Sequence, residues 1–174
     1  MNWQYTLHAV PKFLDAALIT LELSAYAVIL SLLAALPIAV ITAYHVAPFH
    51  RIARAYIELS RNTPLLIQLF FLYYGLPKIG VKLDGFTCAI IALVFLGASY
   101  MAEALLGWLR AVPKGQIEAA QAIGLTRVQI FRYVILPQAW AVALPAVAAN
   151  VLFLIKETSV VSAVAVAELM FVTK

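Results

Sequence analysis

Long stretches without a charged residue constrain this chain more than any other feature. Residues 23–44 carry no charge over 22 positions, and residues 133–155 carry none over 23. At about 1.5 Å per residue, a helix of either length crosses a hydrocarbon core about 30 Å thick. Because 65% of the residues are hydrophobic and 11% are charged, a water-soluble fold would leave much apolar surface unburied. The chain is therefore predicted to lie in a bilayer, and intrinsic disorder is excluded.

Two further segments bring the predicted membrane helices to four. Residues 62–77 are uncharged over 16 positions, so their helix is expected to begin earlier, near Ala55, while Glu103 interrupts the third helix. A shorter apolar segment, 158–169, is expected to be re-entrant or interfacial. Pro37, Pro64 and Pro145 lie inside the predicted helices and are expected to kink or break them. The predicted fold is an all-α integral membrane protein, one domain over residues 1–174, with spans at about 16–44, 55–77, 86–109 and 131–156.

The positive charges are distributed unevenly between the loops. The second loop has two Lys side chains, whereas the first and third loops together have seven Lys and Arg: Arg51, Arg54, Arg61, Arg110, Lys114, Arg127 and Arg132. Because Lys and Arg concentrate in cytoplasmic loops, we expect the N-terminus outside and the loop 110–132 in the cytoplasm. Membrane topology thus accounts for the basic pI, and no nucleic-acid partner is expected.

The third loop has the clearest local pattern. Residues 114–124 favour a helix, and Gly124 is placed to end it in the left-handed conformation, which costs a glycine little. Thr126 then predicts an N-cap, with Gln129 completing a capping box. The second helix continues into the fourth span. A DNA-binding helix-turn-helix shares this pattern, but about two dozen residues between two spans leave no room for the domain that such a motif requires.

Patterns for catalysis and metal binding are missing from the sequence. It has no G-x-x-x-x-G-K-[S/T] phosphate loop, and its three His have no paired metal spacing. We therefore expect no catalytic residue, no metal site and no cofactor in this chain.

The stretch from Glu118 resembles the loop motif of ABC-importer permeases, E-A-A, three residues, G, nine residues, I-x-L-P. It is matched by Glu118-Ala119-Ala120, Gly124 and Val134–Pro137, with Val134 in place of the first Ile. Longer stretches look like the polar amino acid uptake subfamily, in order and at family spacing: 61–77, 112–125, 135–145 and 154–169. Asn62 stands where that family usually has Gly.

The resemblance implies a type I importer-like permease core, with four spans present here where members usually continue through a fifth. It implies a multi-pass subunit of a bacterial-type cytoplasmic (inner) membrane that imports polar amino acids by alternating access, coupled to a separate ATPase. The implied partners are two ABC ATPase subunits that hold ATP and Mg, a second permease copy or homologue, an extracytoplasmic substrate-binding protein and the lipid bilayer. A dimer also follows from size, because four spans do not easily enclose a pathway.

The same resemblance implies that the short cytoplasmic helix docks in a groove of the ATPase. Small residues there allow close backbone approach, and Ile123 and Leu125 could be apolar anchors. The predicted coupling residues are Glu118, Ala119, Ala120, Ile123, Gly124 and Leu125.

Candidate pathway or gate residues carry polar groups inside or at the ends of membrane helices: Glu103, Gln68, Lys156, Glu157, Thr158 and Ser159. Glu103 is costly within a span, so it could attract an ammonium group, set a gate through an ion pair, or pair structurally. Gln68 could bind a neighbouring helix or substrate, and Lys156 and Glu157 could instead form an interfacial pair. Arg61 is expected to form a surface pair with Glu58. The alternative function is an ion-coupled secondary transporter or channel subunit.

Overall fold

The computed structural model describes residues 3–109, 112–164 and 166–172. These residues form helices joined by short turns, and no β-strand occurs among them. Arg110, one of the charges in the predicted topology, lies outside these ranges. The predicted all-α fold is confirmed. The helices in chain order are α1 (Trp3–Ala43), α2 (Phe49–Asn62), α3 (Leu65–Phe70), α4 (Gly85–Leu109), α5 (Lys114–Ala122), α6 (Arg127–Ile130), α7 (Leu136–Glu157) and α8 (Leu169–Val172).

Within the described residues, three helices are long and apolar enough to cross a membrane: Val10–Ala43, Gly85–Trp108 and Ala141–Val164. A shorter apolar helix, Leu65–Ile79, follows the break between α2 and α3. The segment 158–169 begins as a 3-10 helix, Thr158–Val164, in which Val161 and Val164 are buried. It therefore packs against the helical core, while its depth in a bilayer stays a prediction.

The first helix is longer than the sequence predicts. It extends to Trp3, well before the predicted start near residue 16. Lys12 and Asp15 lie inside it, and both are exposed on its surface. The predicted helix began after these two charged residues. An exposed charge near a helix end, however, does not interrupt the backbone hydrogen bonds.

The second predicted span, 55–77, begins earlier, at Phe49, and contains a break. Thr63 is extended, with ψ 120°, and Pro64 follows with ψ 139° before the next helix starts at Leu65. Proline has no N–H and disfavours the helical conformation of the residue before it. Pro37 and Pro145, by contrast, are accommodated inside α1 and α7, so Pro64 alone of the three ends a helix.

Small residues set the distance between α1 and α4, which pack along each other. One face of α1 is buried through small side chains, among them Ala27, Ser31 and Ala35. On α4, a Cβ at Gly97 would lie 2.3 Å from Ser31 Oγ and 2.7 Å from a methyl carbon of Leu154 on α7. Close approach of backbones at small residues is typical of helix packing in membranes.

Two single turns of π-helix precede a Leu-Pro pair. They lie at Phe71–Gly75 and Phe131–Ile135, directly before Leu76-Pro77 and Leu136-Pro137. In each, the Leu N–H bonds five residues back, to Phe71 O and Phe131 O. Because a proline ring clashes with the carbonyl four residues before it, the widened turn relieves that contact. The second π-turn joins α6 to α7.

Candidate functional site

Backbone chemistry positions the helix pair α5–α6. Gly124 follows α5 with a φ of +83°. Its N–H donates to Gln121 O at 2.9 Å, and the Leu125 N–H donates to Ala120 O at 3.1 Å. These two bonds form a Schellman motif, which ends a helix in the left-handed conformation. The predicted left-handed helix end at Gly124 is confirmed, while its coupling role stays a prediction.

Thr126 begins the second helix of the pair. Its Oγ1 accepts from the Gln129 N–H at 3.4 Å, and its own N–H donates to Gln129 Oε1 at 2.8 Å. This is the predicted capping box, and it satisfies N–H groups that a helix start otherwise leaves unpaired. The chain then passes through α6 and the π-turn into α7, so the short helix is connected to a long apolar one.

The α5–α6 pair presents an apolar surface. Ile123 is 78% exposed and Val128 is 74% exposed. Glu118, Ala119 and Gly124 are also exposed. These side chains form a surface open to a partner. Val128 was not predicted to belong to it, because the sequence places this residue near the start of a membrane helix.

Two of the predicted coupling residues are less exposed than the others. Ala120 is only 6% exposed and packs inward, and Leu125 is partly buried. Glu118 forms no hydrogen bond or ion pair with any part of the chain that the structure describes. Its carboxylate is therefore available to a partner, whereas Ala120 contributes its small size to packing within this chain.

A charged cavity of about 470 Å³ lies between α2 and α4. Arg61 Nη1 and Glu103 Oε2 are 3.4 Å apart across it, with 39% and 46% of the two side chains exposed. This is the one ion pair between charged groups in the described ranges. The residues lining the cavity are Arg54, Ile57, Glu58, Arg61, Asn62, Tyr100 and Glu103.

The partner of Arg61 differs from the predicted one. Glu58, three residues away on α2, was expected to pair with it, but Arg61 reaches across to Glu103 on α4. The guanidinium carbon also lies 4.9 Å from the centre of the Tyr100 ring, within the range of a cation–π contact. Packing between helices therefore overrides the local i,i+3 pairing.

Hydrogen bonds between helices hold both sides of this cavity. Ser60 Oγ on α2 donates to Phe95 O on α4 at 2.8 Å. Asn150 Nδ2 on α7 donates to Tyr100 O at 3.1 Å. A second cavity of about 330 Å³ shares Arg61 and Tyr100 and includes Glu157. Arg61 thus lines two cavities, the first with Glu58 and Glu103 and the second with Glu157.

Comparison with known proteins identifies the family. Residues 31–173 match the family described as binding-protein-dependent transport system inner membrane component. The chain belongs to that family. It is the membrane-spanning permease of an ABC importer, in which the ATPase site lies outside the permease and the complex includes ATPase and substrate-binding partners.

Relatives and solved structures agree with this assignment. A probable amino-acid permease protein of Bacillus subtilis (strain 168) is 36% identical over 172 residues, 97% of this chain and 77% of the relative. A probable amino-acid ABC transporter permease protein of Vibrio harveyi is 37% identical over the same shares. A crystal structure of an amino acid ABC transporter with histidines matches with a TM-score of 0.87 at 34% identity, over 98% of this chain and 80% of that one. The predicted type I importer fold is confirmed.

Gln68 repairs the helix break in this permease. Pro64 has no N–H to give to the carbonyl of Ser60, four residues earlier. Ser60 O accepts from the Thr63 N–H at 3.4 Å, and the Gln68 side chain adds a second donor, with Nε2 3.2 Å from Ser60 O and 2.9 Å from Thr63 O. Broken helices persist in membranes where such groups are satisfied again. The structure thus gives Gln68 a structural role, and its contact with substrate stays a prediction.

The polar cluster at the end of α7 comprises Lys156, Glu157, Thr158 and Ser159. Some of these side chains have structural hydrogen bonds, and one lines a cavity. Thr158 Oγ1 donates to Ile155 O and Ser159 Oγ to Lys156 O, at 2.7 and 2.8 Å. Lys156 is exposed, and no ion pair with Glu157 occurs in this described segment. Of these four residues, only Glu157 lines the second cavity, of about 330 Å³, which Arg61 also lines.

Proposed function

We propose that this permease imports polar amino acids and that Arg61 and Glu103 bind the two charged ends of the substrate. The observation that carries this is the Arg61–Glu103 pair lining a cavity of about 470 Å³ between α2 and the long apolar helix α4. The names of the relatives and the solved amino acid transporter support the substrate class. The pair also matches the chemistry of an amino acid, which carries one carboxylate and one ammonium group.

The two side chains are suited to these roles. A guanidinium binds a carboxylate through two parallel hydrogen bonds, and a carboxylate accepts hydrogen bonds from an ammonium group. Without substrate, Arg61 and Glu103 neutralise each other across 3.4 Å, so neither charge in the cavity is left unpaired. A bound zwitterion replaces each partner with one of its own groups. Glu157, in the adjoining cavity, extends the proposed pathway past Arg61, and Lys156, Thr158 and Ser159 complete the proposed gate.

The proposed orientation places the N-terminus outside and the α5–α6 pair in the cytoplasm, from the Lys and Arg distribution. There the exposed Ile123 and Ala119 dock on one of two ATPase subunits, which hold ATP and Mg. Closure of the ATPase pair moves α5, and α7 tilts with it toward an outward-open state. A second permease copy or homologue completes the pathway, and an extracytoplasmic binding protein delivers the substrate.

Uptake by the assembled complex in proteoliposomes tests the proposed site. Arg61→Gln and Glu103→Gln each remove one charge while keeping much of the side-chain volume. Loss of a charge-assisted hydrogen bond is expected to lower the uptake rate by at least about tenfold. Glu22→Gln is the control, because Glu22 lies on α1 beside a different cavity and its uptake should equal wild type. Normal uptake by both cavity variants would contradict the proposed site.

Ion coupling is the competing mechanism, and the same vesicles distinguish it. Collapse of the ion gradients while ATP remains should leave uptake unchanged if ATP hydrolysis drives import. Uptake that stops when the gradients collapse would instead indicate a secondary transporter.

A further inference from the structure

A glutamine pair links α5 directly to α7. Gln138 Nε2 donates to Gln116 Oε1 at 2.6 Å, across 22 residues of sequence. The same nitrogen donates to Val134 O at 3.0 Å. In the part of the chain that the structure describes, this is the one side-chain hydrogen bond from α5 to another element. Gln138 stands in the first turn of α7, directly after Pro137.

The direction of the hydrogen bond follows from its second partner. A backbone carbonyl only accepts, so the side-chain group of Gln138 that faces Val134 O must be the NH₂. Its two hydrogens are then both used, one toward Val134 O and one toward Gln116. Gln116 must therefore present its oxygen. Val134 belongs to the π-turn, so the contact spans the point where α6 meets α7.

The covalent route from α5 to α7 contains two places where the backbone departs from the α-helix. The first is the left-handed turn at Gly124, and the second is the π-turn Phe131–Ile135. Helices kink at π-turns and at glycines, and π-turns are frequent at functional sites. Movement of α5 could be absorbed at either place before it reaches the membrane helix.

We propose that Gln116 and Gln138 are positioning residues that brace α5 against α7 and carry the movement of α5 past both bends. Together with Gly124 and the π-turn, the pair closes a triangle of α5, α6 and the start of α7. With the hydrogen bond in place, α5, α6 and the start of α7 move as one rigid unit. Without it, the backbone can bend at Gly124 or at the π-turn. The inference rests on the proposed coupling role of α5 and names the contact through which that role is exerted.

The test measures substrate imported per ATP hydrolysed by the complete complex with its binding protein. Gln138→Ala and Gln116→Ala each remove the brace. We expect the ratio to fall by about two- to tenfold, as for loss of one neutral hydrogen bond, while ATP hydrolysis continues. The double variant should lose no more than Gln138→Ala alone, because that variant already removes the contact with Gln116.

A conservative pair of variants separates bracing from general damage. Gln116→Glu keeps an acceptor toward Gln138 and should retain the wild-type ratio. Gln138→Glu places a carboxylate against Val134 O and should lower the ratio as Gln138→Ala does. A merely structural role would not produce this asymmetry, so equal effects of the two Glu variants would overturn the proposal.

Cross-linking in the same preparations distinguishes this proposal from the proposed function. A cysteine replacing Ala119 should cross-link to the ATPase in wild type and in Gln138→Ala alike. An unchanged import ratio in Gln138→Ala with an intact cross-link overturns the brace alone. A missing cross-link in the wild-type background overturns the coupling role of α5, and the brace with it.

Discussion

Two positions, 97 and 124, each require glycine, but for different physical reasons. Gly97 lies in the packed interface of α4 with α1 and α7, where an added Cβ would be 2.3 Å from Ser31 Oγ. Gly124 has nothing within 4 Å of its Cβ position, but its φ is +83°. The membrane region is therefore specified by side-chain size, and the α5–α6 pair by backbone conformation. Larger side chains are not tolerated where α4 packs against α1 and α7. The α5–α6 pair is instead held by its turn and its helix caps.

The largest expected effect is in the membrane region. Gly97→Val adds three carbons beside Ser31 and Leu154, both fully buried. We expect a loss of about 1–3 kcal/mol in stability from overpacking, measured as the thermal midpoint of the complex in detergent. Gly107→Ala on the same helix is the control, because nothing lies within 4 Å of that position. A midpoint for Gly97→Val equal to that of Gly107→Ala would contradict the packing account.

A smaller and different effect is expected at Gly124. Gly124→Ala forces a side chain into the left-handed conformation, which costs about 1–2 kcal/mol, and Gly124→Asn should cost less because Asn tolerates that conformation. Import per ATP should fall while the thermal midpoint stays near wild type, because the strained turn can open locally while the membrane helices stay folded. Gly115→Ala, also in open space, is the matched control. If Gly124→Ala lowered the midpoint as much as Gly97→Val, the contrast between the two regions would be wrong.

The smallest effect concerns the caps of the two regions. Asp84 caps α4, accepting from the Thr87 hydroxyl and, at 3.1 Å, from the Thr87 N–H. The hydrogen bond from the Thr87 side chain, followed by that from its backbone, holds the pKa of Asp84 below its usual range. Its contribution to stability is thus present above the usual Asp pKa and is lost as pH falls through the lowered value.

Amide hydrogen exchange against pH measures this difference. The first turn of α4 should lose protection at acidic pH, and Asp84→Asn should make that protection insensitive to pH. The first turn of α6, capped by the uncharged Thr126, should show no such step. Loss of protection at both caps over the same pH range would point to general unfolding instead.

The features predicted correctly from the sequence are those that residues close together in the chain determine. The left-handed turn at Gly124, the capping box at Thr126 and the disruption at Pro64 depend on neighbours a few residues away. The Arg61–Glu103 pair was missed because it depends on how α2 packs against α4, which spacing within α2 does not reveal. An arginine three residues before a helix-breaking proline, within a membrane segment, is the signal that could have identified it.

The α5 surface was partly predicted for the same reason. The motif placed Ala119, Ala120 and Ile123 in one set, but helical geometry turns Ala120 inward and leaves Ile123 outward. Val128, in α6, is exposed as well, although the motif did not include it. The bond between Gln116 and Gln138 required the three-dimensional arrangement, since 22 residues separate them.

The central claim is that the α5–α6 pair transmits the ATPase cycle to the membrane helices. A single reactive cysteine replacing Ala119 tests it most directly, because Ala119 is exposed and the natural Cys88 is buried. In intact membranes of the assembled importer, the account predicts cross-linking to the ATPase and protection from an impermeant thiol reagent added outside. Labelling from outside, or equal labelling from the cytoplasmic side with and without the ATPase, would contradict it.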